Sequence, residues 1–217
     1  STHCISSAAS DVYKRQGREM NTLFWSKIQR GDEGAFRQLY EQYADLLYGY
    51  GMKIAGDDDL VTDAIQTLFV YIFEKRETCA VPQSISAYLC VSLRHIIVNE
   101  LKKENGDIFR SLDDVDTNEY KFDLEIDIET AIIRSELERE QLKVLQKEIN
   151  NLTKQQREVL YLKYYKKMSS DEIAQVMGLT SRTVYNTTHT AISRLREQLS
   201  KTCLLYTSDA ADDMQCV

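Results

Sequence analysis

The sequence predicts an all-α protein: two small helical domains joined by an acidic linker, the second closed by a helix-turn-helix. Three observations carry this. Apolar residues recur at helical spacing through most of the chain, and no alternation of strand and helix patterns is present. Proline occurs once and glycine eight times in 217 residues, so few breakers interrupt the patterns. Charge is segregated. The net −7 of the whole chain hides −8 between Gly106 and Glu140, from twelve acids and four bases, and +4 between Asn151 and Leu199, from eight bases and four acids. The acidic stretch reads as a solvated connection, and the basic stretch as the part that meets a polyanion.

The first domain covers residues 20–105. Leu23 to Arg30 reads as a short amphipathic helix, broken by Gly31-Asp32. Ala35, Phe36, Leu39, Tyr40, Tyr43, Leu46, Leu47 and Tyr50 then keep helical spacing. The break Gly56-Asp57-Asp58-Asp59 offers an acidic start to the next helix, which suits its dipole. On that helix Val61, Ala64, Ile65, Leu68, Phe69 and Ile72 form the stripe to be buried, while Asp63 and Gln66 share an exposed side. Pro82 marks a loop, and a further helix begins at about Ser84. Leu89, Leu93, Ile96, Ile97 and Leu101 are its apolar side. His95, Asn99, Lys102 and Lys103 lie opposite, with Arg94 adjacent and Tyr88 a turn earlier.

Residues 106–127 are the acidic linker. Helical spacing returns with Ile128, Ala131 and Ile132, then Leu142, Leu145 and Ile149, and opens a second domain over 128–202. Within it, Thr153 with Gln156 and Ser169 with Glu172 have capping-box spacing. Gly178 falls where a turn needs a left-handed backbone, and Thr180 caps a long final helix. Three helices are therefore expected between Thr153 and Leu199. On the last, Val184, Thr188, Ala191, Ile192, Leu195 and Leu199 make one apolar stripe. Arg182, Asn186, His189, Ser193 and Arg196 lie opposite, with Ser181 and Tyr185 beside them near the start. Polarity alone would equally suit a solvated helix face. The short helix DEIAQVMG, the glycine turn and the second cap convert it into a DNA-binding helix-turn-helix pattern. Its second helix offers Arg, Asn and Ser to base edges and phosphates.

Other function classes find little support. No apolar run reaches transmembrane length and no signal-peptide core is visible. Cys4, Cys79, Cys90, Cys203 and Cys216 form no CxxC pair, which favours free thiols in the cytoplasm over a zinc or redox site. There is no Gly-rich phosphate loop, nucleophile elbow or metal-ligand cluster, so no catalytic residue, metal or cofactor is expected. The ends read as foreign. Ser6 to Gln16 is the translation of one oligonucleotide whose reverse complement, in another frame, encodes Cys203 to Asp212; that oligonucleotide resembles a transposase adapter. Residues 1–19 and 203–217 are expected to be adapter-derived, with the natural chain starting at Met20 and cut near Thr202.

The stretch DEIAQVMGLTSRTVYNTTHTAISRLREQL resembles the promoter-reading domain of bacterial RNA polymerase sigma factors, in particular the extracytoplasmic-function (ECF) group. The same tail also resembles response-regulator helix-turn-helix domains. The N-terminal block separates the two. GDEGAFRQLYEQYADLLYGYGMKIAGDDDLVTDAIQTLFVYIFEK is similar along its length to the sigma family's core-binding and promoter-opening domain, including the pattern Asp63, Gln66, Phe69. Thr67 stands where the family more often has glutamate, Tyr88 where many relatives have tryptophan, and Arg94-His95 where they have arginine-asparagine.

The resemblance implies roles for named residues. Asp63 and Gln66 would face the clamp helices of the large polymerase subunit. Tyr88, Arg94, His95, Asn99, Lys102 and Lys103 would meet the downstream (−10) element and help open the strands. Ser181, Arg182, Tyr185, Asn186, His189 and Arg196 would read the upstream (−35) element. The acidic linker would thread the RNA exit path. Core RNA polymerase and promoter DNA are the implied partners, with an anti-sigma factor as a further one, and no small-molecule substrate or covalent chemistry is implied. The rival reading is a stand-alone helix-turn-helix regulator. That would call for a receiver or ligand-binding domain where residues 20–104 show only helical periodicity.

Overall fold

The computed structural model describes residues 21–104, 120–125 and 136–212. They form two compact units; the chain passes from the first to the second between Tyr120 and Lys121, and Gln175–Met177 groups with the first.

The first unit holds α1 (residues 21–29), α2 (Glu33–Ala55), α3 (Asp58–Lys75) and α4 (Ile85–Glu104). Side chains that satisfy orphan backbone groups set their starts. Asp32 accepts from the Ala35 N–H at 3.0 Å, Asp57 from the Leu60 N–H at 3.0 Å, and the Ser84 hydroxyl from the Ala87 N–H at 3.3 Å. Gly56, at φ 69°, ends α2 by donating to the Met52 carbonyl, so the Gly56-Asp57 break is a C-cap followed at once by an N-cap. Helices α2, α3 and α4 pack on one another around Leu39, Leu47, Tyr50, Leu68, Ile72, Leu89, Leu93 and Ile97, and α1 adds Trp25 and Ile28. Gly51 permits the close approach. A Cβ there would lie 2.8 Å from Val61 Cγ1 and 3.2 Å from Ile97 Cδ1.

The expected stripe of α3 is buried in full: Val61, Ala64, Ile65, Leu68, Phe69 and Ile72. Two expectations fail here. Tyr40 faces solvent although it keeps the spacing of α2. Helix α4 is not two-faced, because Cys90, Arg94 and Val98 are buried as well as Leu89, Leu93 and Ile97. With both α2 and α3 packed against it, its buried arc is wider than a single apolar stripe.

The second unit begins with a segment of no regular secondary structure, residues 121–125, followed by α5 (Glu136–Asn150), α6 (Lys154–Leu160), α7 (Ser170–Met177) and α8 (Ser181–Asp212). Both predicted capping boxes form. Gln156 N–H donates to Thr153 Oγ1 at 3.2 Å and Thr153 N–H to Gln156 Oε1 at 3.1 Å. The Ser169–Glu172 pair repeats this at 3.2 and 2.8 Å. Ile149, Leu152, Leu160, Ala191 and Leu195 make the core, with Leu124, Leu145 and Ile192 packed against it. Helix α6 runs on into a π-helical turn, Tyr161–Tyr165, which the three-helix expectation did not contain.

Within 121–125 the linker expectation is corrected. Phe122 is fully buried and meets the Tyr161 ring edge-on, with centroids 5.6 Å apart. Arg157 donates through Nε to the Phe122 carbonyl at 2.9 Å, and through Nη1 to the carbonyls of Asn150 and Leu152 at 3.0 and 2.7 Å. Gln146 donates to the Leu124 carbonyl at 3.0 Å. Lys121 to Glu125 is thus part of the second unit. The rest of the linker, the helical positions Ile128, Ala131 and Ile132, and the N-terminal tail lie outside the described residues. Helix α8 runs past the expected junction at residue 203. Among the described residues no helix is long and apolar enough to cross a membrane.

Candidate functional site

Three helix faces bring together the residues singled out in the sequence. On α3, Asp63, Gln66 and Thr67 are exposed, because the stripe that fixes the helix lies on its other side. Asp63 lines an open groove of about 450 Å³ between α3 and α4, together with Asp57, Asp59 and Glu100. Toward its C-terminal end α3 shows an apolar surface that the sequence reading missed. Val70, Tyr71 and Phe73 are 56, 50 and 44 % exposed, and Tyr40 of α2 is 47 % exposed. Tyr40 and Phe36 connect this surface to the core by edge-on contacts with Phe69 and Phe73, at 5.0 and 5.4 Å. The signal was available: Val70, Tyr71 and Phe73 are large apolar residues outside a stripe that was already complete.

On α4 the expected DNA face is only partly assembled. Tyr88, His95, Asn99 and Lys102 follow i, i+7, i+11, i+14 and are all half-buried on one side. Arg94 is corrected. It is 5 % exposed, and its Nε is shielded from solvent as well as its stem. Lys103 reaches Glu100 at 2.7 Å, an exposed pair of small energetic weight. Tyr88 packs edge-on against Trp25 at 5.7 Å and lies 3.9 Å from Cys79 Sγ. Burial, followed by the nearby Cys79, pushes its hydroxyl up to about 12, so it stays neutral.

Burial, then the Arg94 charge, lowers the His95 pKa below its ordinary 6.5. The unfolded chain therefore binds a proton that the folded chain resists. The stability this contributes is present above pH 6.5 and is lost as pH falls through the lowered folded value. Replacing His95 with glutamine is expected to flatten the decline of urea midpoint on acidification from pH 6.5, leaving the neutral-pH midpoint little changed. An unaltered acid limb would place the titrating group elsewhere.

On α8 the turn geometry is as the sequence required. Gly178 has φ +64°, and the Leu179 N–H donates to the Ala174 carbonyl at 2.8 Å. The Thr180 hydroxyl accepts from the Thr183 N–H at 3.1 Å. Ser181 donates to Asp171 Oδ1 at 2.7 Å, which ties α8 to α7 and gives that hydroxyl a positioning task. Val184 and Ala191 are fully buried, and the Thr188 hydroxyl donates back to the Val184 carbonyl at 2.8 Å. The opposite face is solvent-exposed: Arg182, Tyr185, Asn186, His189, Ser193 and Arg196. Tyr185 and His189 stack, with centroids 6.4 Å apart and planes inclined at 25°.

The description "Sigma-70 region 2" matches residues 39–106, which contain α3, α4 and most of α2. "Sigma-70, region 4" matches residues 142–195, which contain the helix-turn-helix. The ECF RNA polymerase sigma factor SigW of Bacillus subtilis is 22 % identical over 178 residues, covering 80 % of this chain and 93 % of that protein. The RNA polymerase sigma-E factor of Streptomyces avermitilis is 25 % identical over 172 residues, covering 79 % and 89 %. Among solved structures, the sigma factor RpoE from Bartonella quintana, crystallised with the anti-sigma factor NepR, shares the fold. It gives a TM-score of 0.50 at 18 % identity over 76 % of this chain and 96 % of that one. With both sigma-70 regions present, in the order and at the helices where the α3 and α8 faces stand, the chain belongs to the sigma-70 family, in its ECF group.

Proposed function

We propose that this sigma factor docks on core RNA polymerase through α3, reads the upstream promoter element through α8, and assists strand opening through α4. The observation that supports this best is the pairing, in one chain, of an exposed Asp63–Gln66 face on α3 with an outward Arg182–Asn186 face on a capped, glycine-turned α8. Asp63 and Gln66 supply polar specificity, and Val70, Tyr71 and Phe73 supply apolar area to be buried on assembly. On α4 the working set is Tyr88, His95, Asn99, Lys102 and Lys103, without Arg94. The chain acts in the cytoplasm and catalyses no covalent step itself. The Bartonella quintana factor was crystallised with an anti-sigma factor. An antagonist of that class is a partner here too, and the exposed apolar surface of α3 suits it.

Substituting Asp63 and Gln66 together by alanine is expected to weaken assembly with core polymerase while leaving helicity unchanged, since both side chains are exposed. A pull-down with undiminished core binding would move the contact off α3. Strand opening has its own test. Asn99→Ala with His95→Ala should keep closed-complex occupancy and lower permanganate reactivity of promoter thymines. Stacking a freed base is worth about 1–3 kcal/mol, so losing its capture should show in opening. Equal reactivity at equal occupancy would assign opening to another part of the protein.

A further inference from the structure

The stacked Tyr185–His189 pair stands in the middle of the outward face of α8, between Arg182 and Ser193. Tyr185 is 66 % exposed, so its ring is not there to fill the core. The two rings lie one helical turn apart on the same face, and stacking restricts both rotamers. From Ser181 to Ser193 the only formally charged side chain is Arg182. Beyond Arg182 this part of the helix brings no formal charge to the phosphates.

A ring pair held against base edges in a major groove can distinguish them. Thymine alone presents a methyl group there, while guanine and adenine offer N7 with O6 or N6, and cytosine offers an amino group. Against ring faces those polar groups lose water and gain too few partners, whereas a methyl gains contact and loses no hydrogen bond. Asn186 is adjacent and free to take a neighbouring base by hydrogen bonds, so the ring pair is left with an apolar target.

We propose that Tyr185 and His189 act as one stacked unit that selects thymine at a single position of the upstream element by contact with its 5-methyl group. The inference rests on the reading of α8 as the upstream-element reader. The test uses holoenzyme and the duplex it selects from a randomised pool, with each thymine replaced in turn by uracil, which pairs alike and lacks the methyl. One thymine is expected to lose about 3–5-fold in affinity on replacement, the value of one buried methyl-sized group. Tyr185→Ala should abolish that sensitivity and Tyr185→Phe should retain it; both keep the fold, because the side chain is exposed. A holoenzyme that prefers its duplex yet is indifferent to every thymine-to-uracil change overturns this inference alone. One whose affinity is independent of every base overturns the reading of α8 along with it.

Discussion

Replacing Phe122 with alanine is expected to destabilise the helix-turn-helix unit by about 3–5 kcal/mol, the usual cost of emptying a fully buried phenylalanine site. Little of the surrounding structure can collapse into the hole. The Tyr161 ring that meets Phe122 is itself stacked on Tyr165 at 5.2 Å, and it sits at the start of the π-helical turn. Arg157 fixes the backbone of the same residue through the carbonyl at 2.9 Å. Arg157→Ala should cost less, about 1–3 kcal/mol, since it strips donors from partly exposed carbonyls that water can reach in part. Hydrogen exchange of α6 and α8 amides in the intact chain measures both effects. Unchanged protection in the Phe122 variant would return residues 121–125 to the linker.

Removal of Arg182 or Asn186 is expected to be the most damaging single change to promoter choice. Their exposed positions one turn apart let each side chain reach a different base edge. Arginine pairs bidentately with guanine and asparagine with adenine, each worth about 1–3 kcal/mol of discrimination. Arg182→Ala should therefore relax preference at one upstream position and Asn186→Ala at the next, each by roughly 5- to 150-fold. Arg196→Ala should behave differently. If it touches phosphate, affinity falls alike for all sequences and the salt dependence shallows by about one unit. Selection from a randomised duplex pool with each variant holoenzyme separates the two outcomes. Loss at every position for Arg182 or Asn186 would make them phosphate contacts and not readers.

The periodicity of α3 made its buried stripe legible because only one side of that helix meets the core. The same reading failed on α4 for a physical reason. With neighbours on two sides the buried arc exceeds one stripe, so a residue's polarity no longer reports its side, and Arg94 is buried although it is charged. The caps and turns of the second unit were legible because each needs particular atoms at fixed spacing: Thr153 with Gln156, Ser169 with Glu172, and Gly178 at positive φ. The docked segment was hidden by its composition. Lys121, Asp123 and Glu125 made it look like linker, yet Phe122 and Leu124 between them have the period-2 alternation of an extended chain with one face buried. The π-helical turn is encoded by no spacing rule, and the i, i+4 spacing of Tyr185 and His189 permits their stack without fixing the rotamers that make it.

One chain that both joins core polymerase and chooses promoters should show both properties in a single assay, in vitro transcription with purified core enzyme on a library of genomic fragments. Core alone should give no discrete starts, and adding the chain should yield discrete transcripts from fragments sharing an upstream and a downstream element. Asp63→Ala with Gln66→Ala should lower all of these transcripts together, and Asn186→Ala should redistribute them among fragments. A chain that binds particular fragments by itself, fails to assemble with core and adds no transcript would instead be a stand-alone DNA-binding regulator.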